Sequence, residues 1–207
     1  PGEGAGPVAL TLAGLGIVYL LGAIPFGYLV ARWVGGVDIR QRGSGNIGTT
    51  NVLRTLGKAP AAATFLGDVA KGWVAVWVAE ALGPETWWGA AGAVLAIVGN
   101  CWSVFLGFKG GKGVATAFGA FLRLAPLATL PAVVVWIGMV LAFRYVSLAS
   151  MSSSVCLPIA ALLLGYPVTS AVAAAGVAMV VVFRHRENLL RLLQGIERKL
   201  GNRAPAA

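Results

Sequence analysis

Long apolar runs alternate with short polar breaks along almost the entire chain, and the runs repeat at the length of membrane-crossing helices. A helix needs roughly 20 apolar residues to cross a bilayer. By that measure the pattern predicts seven segments, at about 8–33, 60–80, 87–107, 113–124, 126–143, 146–164 and 167–183. The fourth is short for a span and reads as a tilted or re-entrant element lining a protein-filled cavity. Joining it to the fifth across Pro126 is the alternative, and would change the parity of the topology. The first run continues past the length of a cleavable signal peptide. After Val182 the pattern becomes amphipathic: Leu189, Leu192, Leu193 and Ile196 share one helical face, flanked by Arg191 and Arg198, which predicts a basic helix lying at the interface.

Composition agrees with the pattern. With 58% hydrophobic and 11% charged residues and a mean hydropathy of +0.83, the chain lies far from soluble domains, which are about 25% charged. Its 207 residues suit one all-α transmembrane domain over 1–207, with no room for a second. The net charge of +9 is read as contact with anionic headgroups or substrate phosphates. No aromatic-interleaved basic patch points to nucleic acid. Cys101 and Cys156 stand alone, without metal-ligand or CxxC spacing, so neither a metal nor a redox cofactor is expected.

Charge sets the expected orientation. Arg32, Arg40, Arg42, Arg54 and Lys58 fall in the first loop, Lys109 and Lys112 in the third, Arg144 in the fifth. Six more basic residues follow the last span. The even loops hold only Arg123. The positive-inside rule then places the N-terminus outside and the C-terminus in the cytoplasm, with every glycine-rich or basic motif on the cytoplasmic side.

Three polar motifs interrupt the apolar chain. The first runs from Gly43 to Arg54, where Ser44, Asn46, Thr49, Thr50 and Asn51 offer hydrogen bonds and Arg54 can hold phosphate bidentately. Ser, Thr and Asn are also favoured helix N-caps, so recurrence of the same chemistry elsewhere is what lifts this loop above a simple turn. The second, Lys109-Gly110-Gly111-Lys112-Gly113, enters a helix at about Val114. It lacks Walker A spacing, because Gly113 follows Lys112, and an NTPase is excluded. Glycine N–H groups, a helix N-terminus and Lys112 nonetheless suit a phosphate. The third is His185-Arg186-Glu187-Asn188. His185, the only histidine, shares a helical face with Asn188, and neighbouring arginines are expected to favour its neutral form. Ser147 and Ser150 share a face near the same membrane edge. Asp68 and Lys71 are expected to pair inside the second span, for structure or for function. No internal duplication supports a transporter built from inverted repeats.

Taken together these residues resemble the bacterial membrane glycerol-3-phosphate acyltransferase family that uses acyl phosphate as donor. The resemblance rests on Gly43–Arg54, Gly67–Gly72, Phe108–Thr116, Ser147–Ser150, and His185-Arg186-Glu187-Asn188 with Arg191, Gly195 and Glu197. Thr49 stands where the family usually has Ala, and Asn100 where it commonly has His. The resemblance implies seven spans in a bacterial plasma (inner) membrane and a cytoplasmic-facing site. It implies acyl transfer from acyl phosphate to the 1-hydroxyl of sn-glycerol 3-phosphate, giving lysophosphatidic acid and inorganic phosphate. No metal, nucleotide or obligate protein partner is implied; the partners are the two substrates and membrane lipid.

On that basis the donor phosphate is expected in the Gly110–Gly113 loop. Ser44, Asn46, Thr50, Asn51, Arg54, Lys109, Lys112 and Arg186 complete the phosphate-binding set, and His185, Asn188 and Ser150 are the catalytic candidates. Either His185 or a donor phosphate oxygen takes the acceptor proton. The H-x-x-x-x-D motif of acyl-CoA and acyl-carrier-protein acyltransferases is missing, since Leu190 is the fifth residue after His185. A transporter for an organic phosphate would concentrate its cations near the midplane, whereas the charge here lies at one edge with only Asp68 and Lys71 deeper.

Overall fold

The computed structural model describes residues 5–201, which are all helix, turn and loop with no strand. Ten α-helices follow in order: α1 (Ala5–Ala23), α2 (Phe26–Gly35), α3 (Thr49–Leu56), α4 (Lys58–Glu80), α5 (Thr86–Cys101), α6 (Val114–Leu124), α7 (Pro126–Phe143), α8 (Val146–Leu163), α9 (Val168–Arg184) and α10 (Arg186–Leu193). Four elements are long and apolar enough to cross a membrane: α4, α5 extended to Leu106, α7 and α8. Counting the bent pairs α1–α2 and α9–α10 as one span each gives up to six.

The first predicted span is therefore not continuous. It bends by 42° between Ala23 and Phe26, at Pro25, which has no N–H to donate and disfavours helix at Ile24. A break in lipid leaves carbonyls that need donors from within the protein. Ser103 Oγ donates to the Ala23 carbonyl at 2.6 Å and Lys71 Nζ to the Ile24 carbonyl at 2.7 Å. Lys71 also pairs with Asp68 at 2.7 Å and donates to Asn100 Oδ1 at 2.8 Å. The expected intramembrane pair thus forms a clamp joining the break to α4 and α5.

Nor do the fourth and fifth segments merge. Ala125, at φ −150° and ψ 66°, separates them, and Pro126 opens α7 at a position where its missing N–H is harmless. The 11 residues of α6 reach only about 16 Å. Close backbone contact seats this short helix on α4: a Cβ at Gly72 would lie 2.1 Å from the Thr116 carbonyl oxygen, and one at Gly119 would lie 1.9 Å from that of Val69. Small residues give bilayer helices their packing contact, and the core here is mostly alanine with a few larger side chains such as Phe121, Ile97 and Val177. The outer face of α7 shows Leu127, Leu130, Val134 and Leu141, as a lipid-facing surface would.

The tail departs from the predicted amphipathic helix. α10 ends at Leu193, and Gly195 turns the chain back with φ +71°. Leu200 N then donates to the Arg144 carbonyl, while Arg144 Nη2 donates to the Leu200 carbonyl. The returning segment crosses the end of the bundle where the three polar motifs meet.

Candidate active site

The first motif folds around one side chain. Asn51 is buried, and its amide accepts from Ser44 N and donates to the carbonyls of Ile39, Arg42 and Asn46. Asn46 Oδ1 accepts from Gly48 N. A Cβ at Gly43, where φ is +59°, would lie 2.1 Å from Asn51 Oδ1, so glycine is needed there on both counts. Asn51 therefore frames the loop with its amide fully engaged, while Asn46 uses only its oxygen in the loop and also lines the cavity, as Asn51 does. Ser44, Thr49, Thr50 and Arg54 line the cavity the loop borders. Thr49 Oγ1 and Arg54 Nε are buried there without a protein partner. Arg54 Nη2 donates to the Arg198 carbonyl at 3.2 Å. Burial first, and Arg198 second, pull the Arg54 guanidinium below its usual value. A bound anion would relieve both effects.

The second motif differs from the expected glycine cradle. Gly110 N and Gly111 N donate to the carbonyls of Cys101 and Asn100, capping the C-terminus of α5. These two N–H groups are engaged within the protein, and Gly110 does not line the cavity. What the loop presents instead is Lys112 and the first turn of α6, which begins at Val114 as expected. The first N–H groups of a helix have no intrahelical acceptor, and residues 113–117 line the cavity. Lys112 Nζ crosses to Asn188 Oδ1. Burial depresses Lys112 to about 8, opposed by the carboxylate of Glu197.

The third motif sits on the 58° bend between α9 and α10. His185 is 4% exposed, and its Nδ1 lies 2.8 Å from the Val181 carbonyl. A carbonyl can only accept, so Nδ1 carries the proton and Nε2 keeps its lone pair. Burial holds His185 down at about 4, with the charge of Lys112 next and that of Arg184 a smaller contribution. The imidazole is neutral, as expected, but the main cause is desolvation rather than neighbouring arginines. Asn188 is buried beside it and donates to Glu197 Oε1 at 2.6 Å.

Glu197 is the residue missing from the expected site. Its Oε1 also accepts from Ser147 Oγ at 2.8 Å, and its Oε2 accepts from Arg191 Nε at 2.8 Å. Burial would raise its pKa, but the hydrogen bonds from Asn188, Arg191 and Ser147 outweigh that and lower it. The sequence signal was an acid two residues after a glycine, in an otherwise basic tail. The Ser150 hydroxyl accepts only from Trp136 Nε1, at 3.4 Å, and lines the cavity together with Ser147.

Two of the expected cations are not brought here. Lys109 is exposed and off the cavity. Arg186 is also exposed and lies over the Phe183 ring, 4.8 Å from its centroid. Both lie on the outer side of elements whose inner side forms the site.

The cavity has a volume of about 470 Å³. Arg54, Lys112, His185, Asn188 and Glu197 define its polar end. From there it runs between α6, α7, α8 and α9, past Phe118, Trp136, Leu157 and Val177. Polar head and apolar extension form one continuous space, the shape required by an amphiphile whose headgroup reacts.

The family model described as glycerol-3-phosphate acyltransferase matches residues 12–195. Among curated relatives, the glycerol-3-phosphate acyltransferase of Rubrobacter xylanophilus is 50% identical, covering 90% of this chain and 93% of that protein. That of Thermus thermophilus is 47% identical, covering 92% and 95%. Two crystal structures of PlsY, an integral membrane glycerol 3-phosphate acyltransferase, share the fold. Its glycerol 3-phosphate form gives a TM-score of 0.86 at 40% identity, covering 92% of this chain and 96% of that one. Its lysophosphatidic acid form gives 0.85 at 39%, covering 92% and 95%. With its fold and nearly its whole length matched in this way, the chain belongs to the glycerol-3-phosphate acyltransferase family.

Proposed function

We propose that this protein transfers an acyl group from acyl phosphate to the 1-hydroxyl of sn-glycerol 3-phosphate. The hydroxyl oxygen attacks the acyl carbon, the bond from that carbon to the phosphate oxygen breaks, and inorganic phosphate leaves. The product is 1-acyl-sn-glycerol 3-phosphate. The observation that carries this reading is the single cavity that joins buried cations to an apolar channel.

Lys112 with the first turn of α6, and Arg54 with Thr49, are the two places in the cavity for the two substrate phosphates. Holding both reactants in one pocket removes much of the entropic barrier, roughly 7–11 kcal/mol in favourable cases. Ser150 and the remaining amide hydrogen of Asn188 stand as donors for the developing oxyanion. For the proton, His185 Nε2 and a phosphate oxygen of the donor compete. Burial holds His185 at about 4 and works against the imidazolium that taking the proton would create. The donor phosphate, in contrast, is already anionic and departs with the proton as inorganic phosphate, so we assign the proton to it and assign His185 to orienting the hydroxyl. The reaction then needs no metal, nucleotide or protein partner.

Seven membrane elements accommodate this chemistry, α1–α2 and α9–α10 each counting as one and α6 as the short seventh. The N-terminus is placed outside and the site at the cytoplasmic face of a bacterial plasma membrane, supported by the basic loops gathered at one end. The charge at one edge also favours an enzyme over an organic-phosphate transporter.

The deciding experiment uses purified protein in detergent with palmitoyl phosphate and glycerol 3-phosphate, without added metal or nucleotide. Phosphate release that requires both substrates, with the acylated product confirmed, is the expected result. No product from folded protein would overturn the assignment. His185→Gln, which keeps hydrogen bonding but not basicity, should stay within about tenfold of wild type if His185 orients, against a loss of about 100-fold for His185→Ala, the scale on which a misplaced reactant slows the step. Equal loss in both would return the proton to His185.

A further inference from the structure

The loop bearing Lys112 is gripped along both of its backbone edges. Its N–H groups at Gly110 and Gly111 cap α5. Its carbonyls at the same two residues face the other way, and both accept from one side chain on α9. Arg184 Nη2 donates to the Gly110 carbonyl at 3.0 Å and Nε to the Gly111 carbonyl at 3.1 Å. The guanidinium carbon lies 5.4 Å from the centroid of the Trp102 ring. Trp102 is itself tied down, since its carbonyl accepts from Tyr19 OH at 2.7 Å. Arg184 does not line the cavity, while its chain neighbour His185 does. A planar two-pronged donor fits two successive carbonyls in a way that an ammonium group does not.

We propose that Arg184 is a positioning residue that sets the register of Lys112 against His185 and Asn188 by holding the carbonyls of Gly110 and Gly111. The inference rests on the assignment of Lys112 to a substrate phosphate. Arg184 never meets substrate. It fixes two sequence-distant elements to each other, so that Lys112 enters the cavity beside Asn188 rather than swinging outward as Lys109 does.

The test compares KM for palmitoyl phosphate and for glycerol 3-phosphate in Lys112→Arg, Arg184→Met and their double variant. Lys112→Arg should raise one of the two KM values. Arg184→Met should raise that same KM about tenfold and leave the other within twofold. The double variant should be no worse than the more impaired single, because both changes remove one contact, and residues acting as a unit are non-additive. Arg184→Lys, with the charge but not the fork, should recover about a third of the loss. If Arg184→Met does not give folded protein, Arg184→Lys and Trp102→Leu, which removes the face beneath the guanidinium, decide by the same KM signature. Wild-type KM values in the Arg184 variants, an equal rise in both, or effects that multiply in the double variant would overturn the inference alone. Full activity in Lys112→Ala would overturn the phosphate assignment, and this inference with it.

Discussion

Replacing Glu197 tests the site at the point where the tail enters it. Its carboxylate accepts from Ser147, Asn188 and Arg191. Glu197→Ala strands all three donors. Arg191, whose side chain is 36% exposed, can turn to water, so its loss counts for little. Ser147 and Asn188 are buried, and a buried group left without a partner costs about 1–3 kcal/mol. Two such groups give about 2–6 kcal/mol, or roughly 30- to 25,000-fold if the loss falls on the transition state. Glu197→Gln is the control, because its carbonyl oxygen can still serve Ser147 and Asn188 while its NH2 meets only Arg191. The measurement is kcat/KM for phosphate release, with thermal unfolding in the same detergent to separate activity from stability. Glu197→Ala should fall by that range and Glu197→Gln by less than about tenfold. Equal activity in Glu197→Ala and wild type, at the same folded fraction, would refute the role given to the carboxylate.

Lys112 is charged below its value of about 8 and neutral above it, so phosphate binding weakens as pH rises through 8. The kcat/KM profile should show that alkaline limb, and Lys112→Arg should remove it; persistence of the limb in the variant would assign it to another group. Arg54→Ala should lose turnover by at least 100-fold with little change in unfolding temperature, since removing a phosphate contact costs about 2.7 kcal/mol or more. Lys109→Ala and Arg186→Ala should stay within about threefold of wild type, because surface charges contribute under about 1 kcal/mol. Gly119→Ala should destabilise the protein by about 1–3 kcal/mol, because the new Cβ would meet the Val69 carbonyl oxygen at 1.9 Å; unchanged unfolding would mean α4 and α6 are free to separate.

How far the sequence carried varies with the kind of fact. Apolar runs placed the helices to within a few residues, because burial in lipid demands long uninterrupted stretches. The motifs pointed to a common site because glycine, cation and amide chemistry recurred at one set of loop ends. Direction was harder to see. Arg184 and Arg186 stand two apart, yet one grips the Lys112 loop and the other faces outward, a difference set by the bend at His185. Gly110 and Gly111 read as phosphate donors until α5 was seen to end beside them. Asn100, the departure from the usual histidine, found its partner in Lys71, 29 residues earlier in the chain. Glu197 escaped because its place depends on a chain reversal at Gly195 that no periodicity encodes. The break at Pro25 was written in the sequence, but an apolar run on both sides concealed it.

The hook made by Gly195 to Leu200 has a bearing on biogenesis. Among the described residues, the membrane helices and the cavity cations Arg54 and Lys112 all precede it, so these helices can be inserted while Ser147 and Asn188 still lack their acceptor. The carboxylate that completes this hydrogen-bonded cluster is thus supplied only after the helices that carry the rest of it have been made. A truncation at residue 194 would leave an inserted bundle with an unfinished site, and a cell would hold inert protein that a membrane-insertion assay scores as normal.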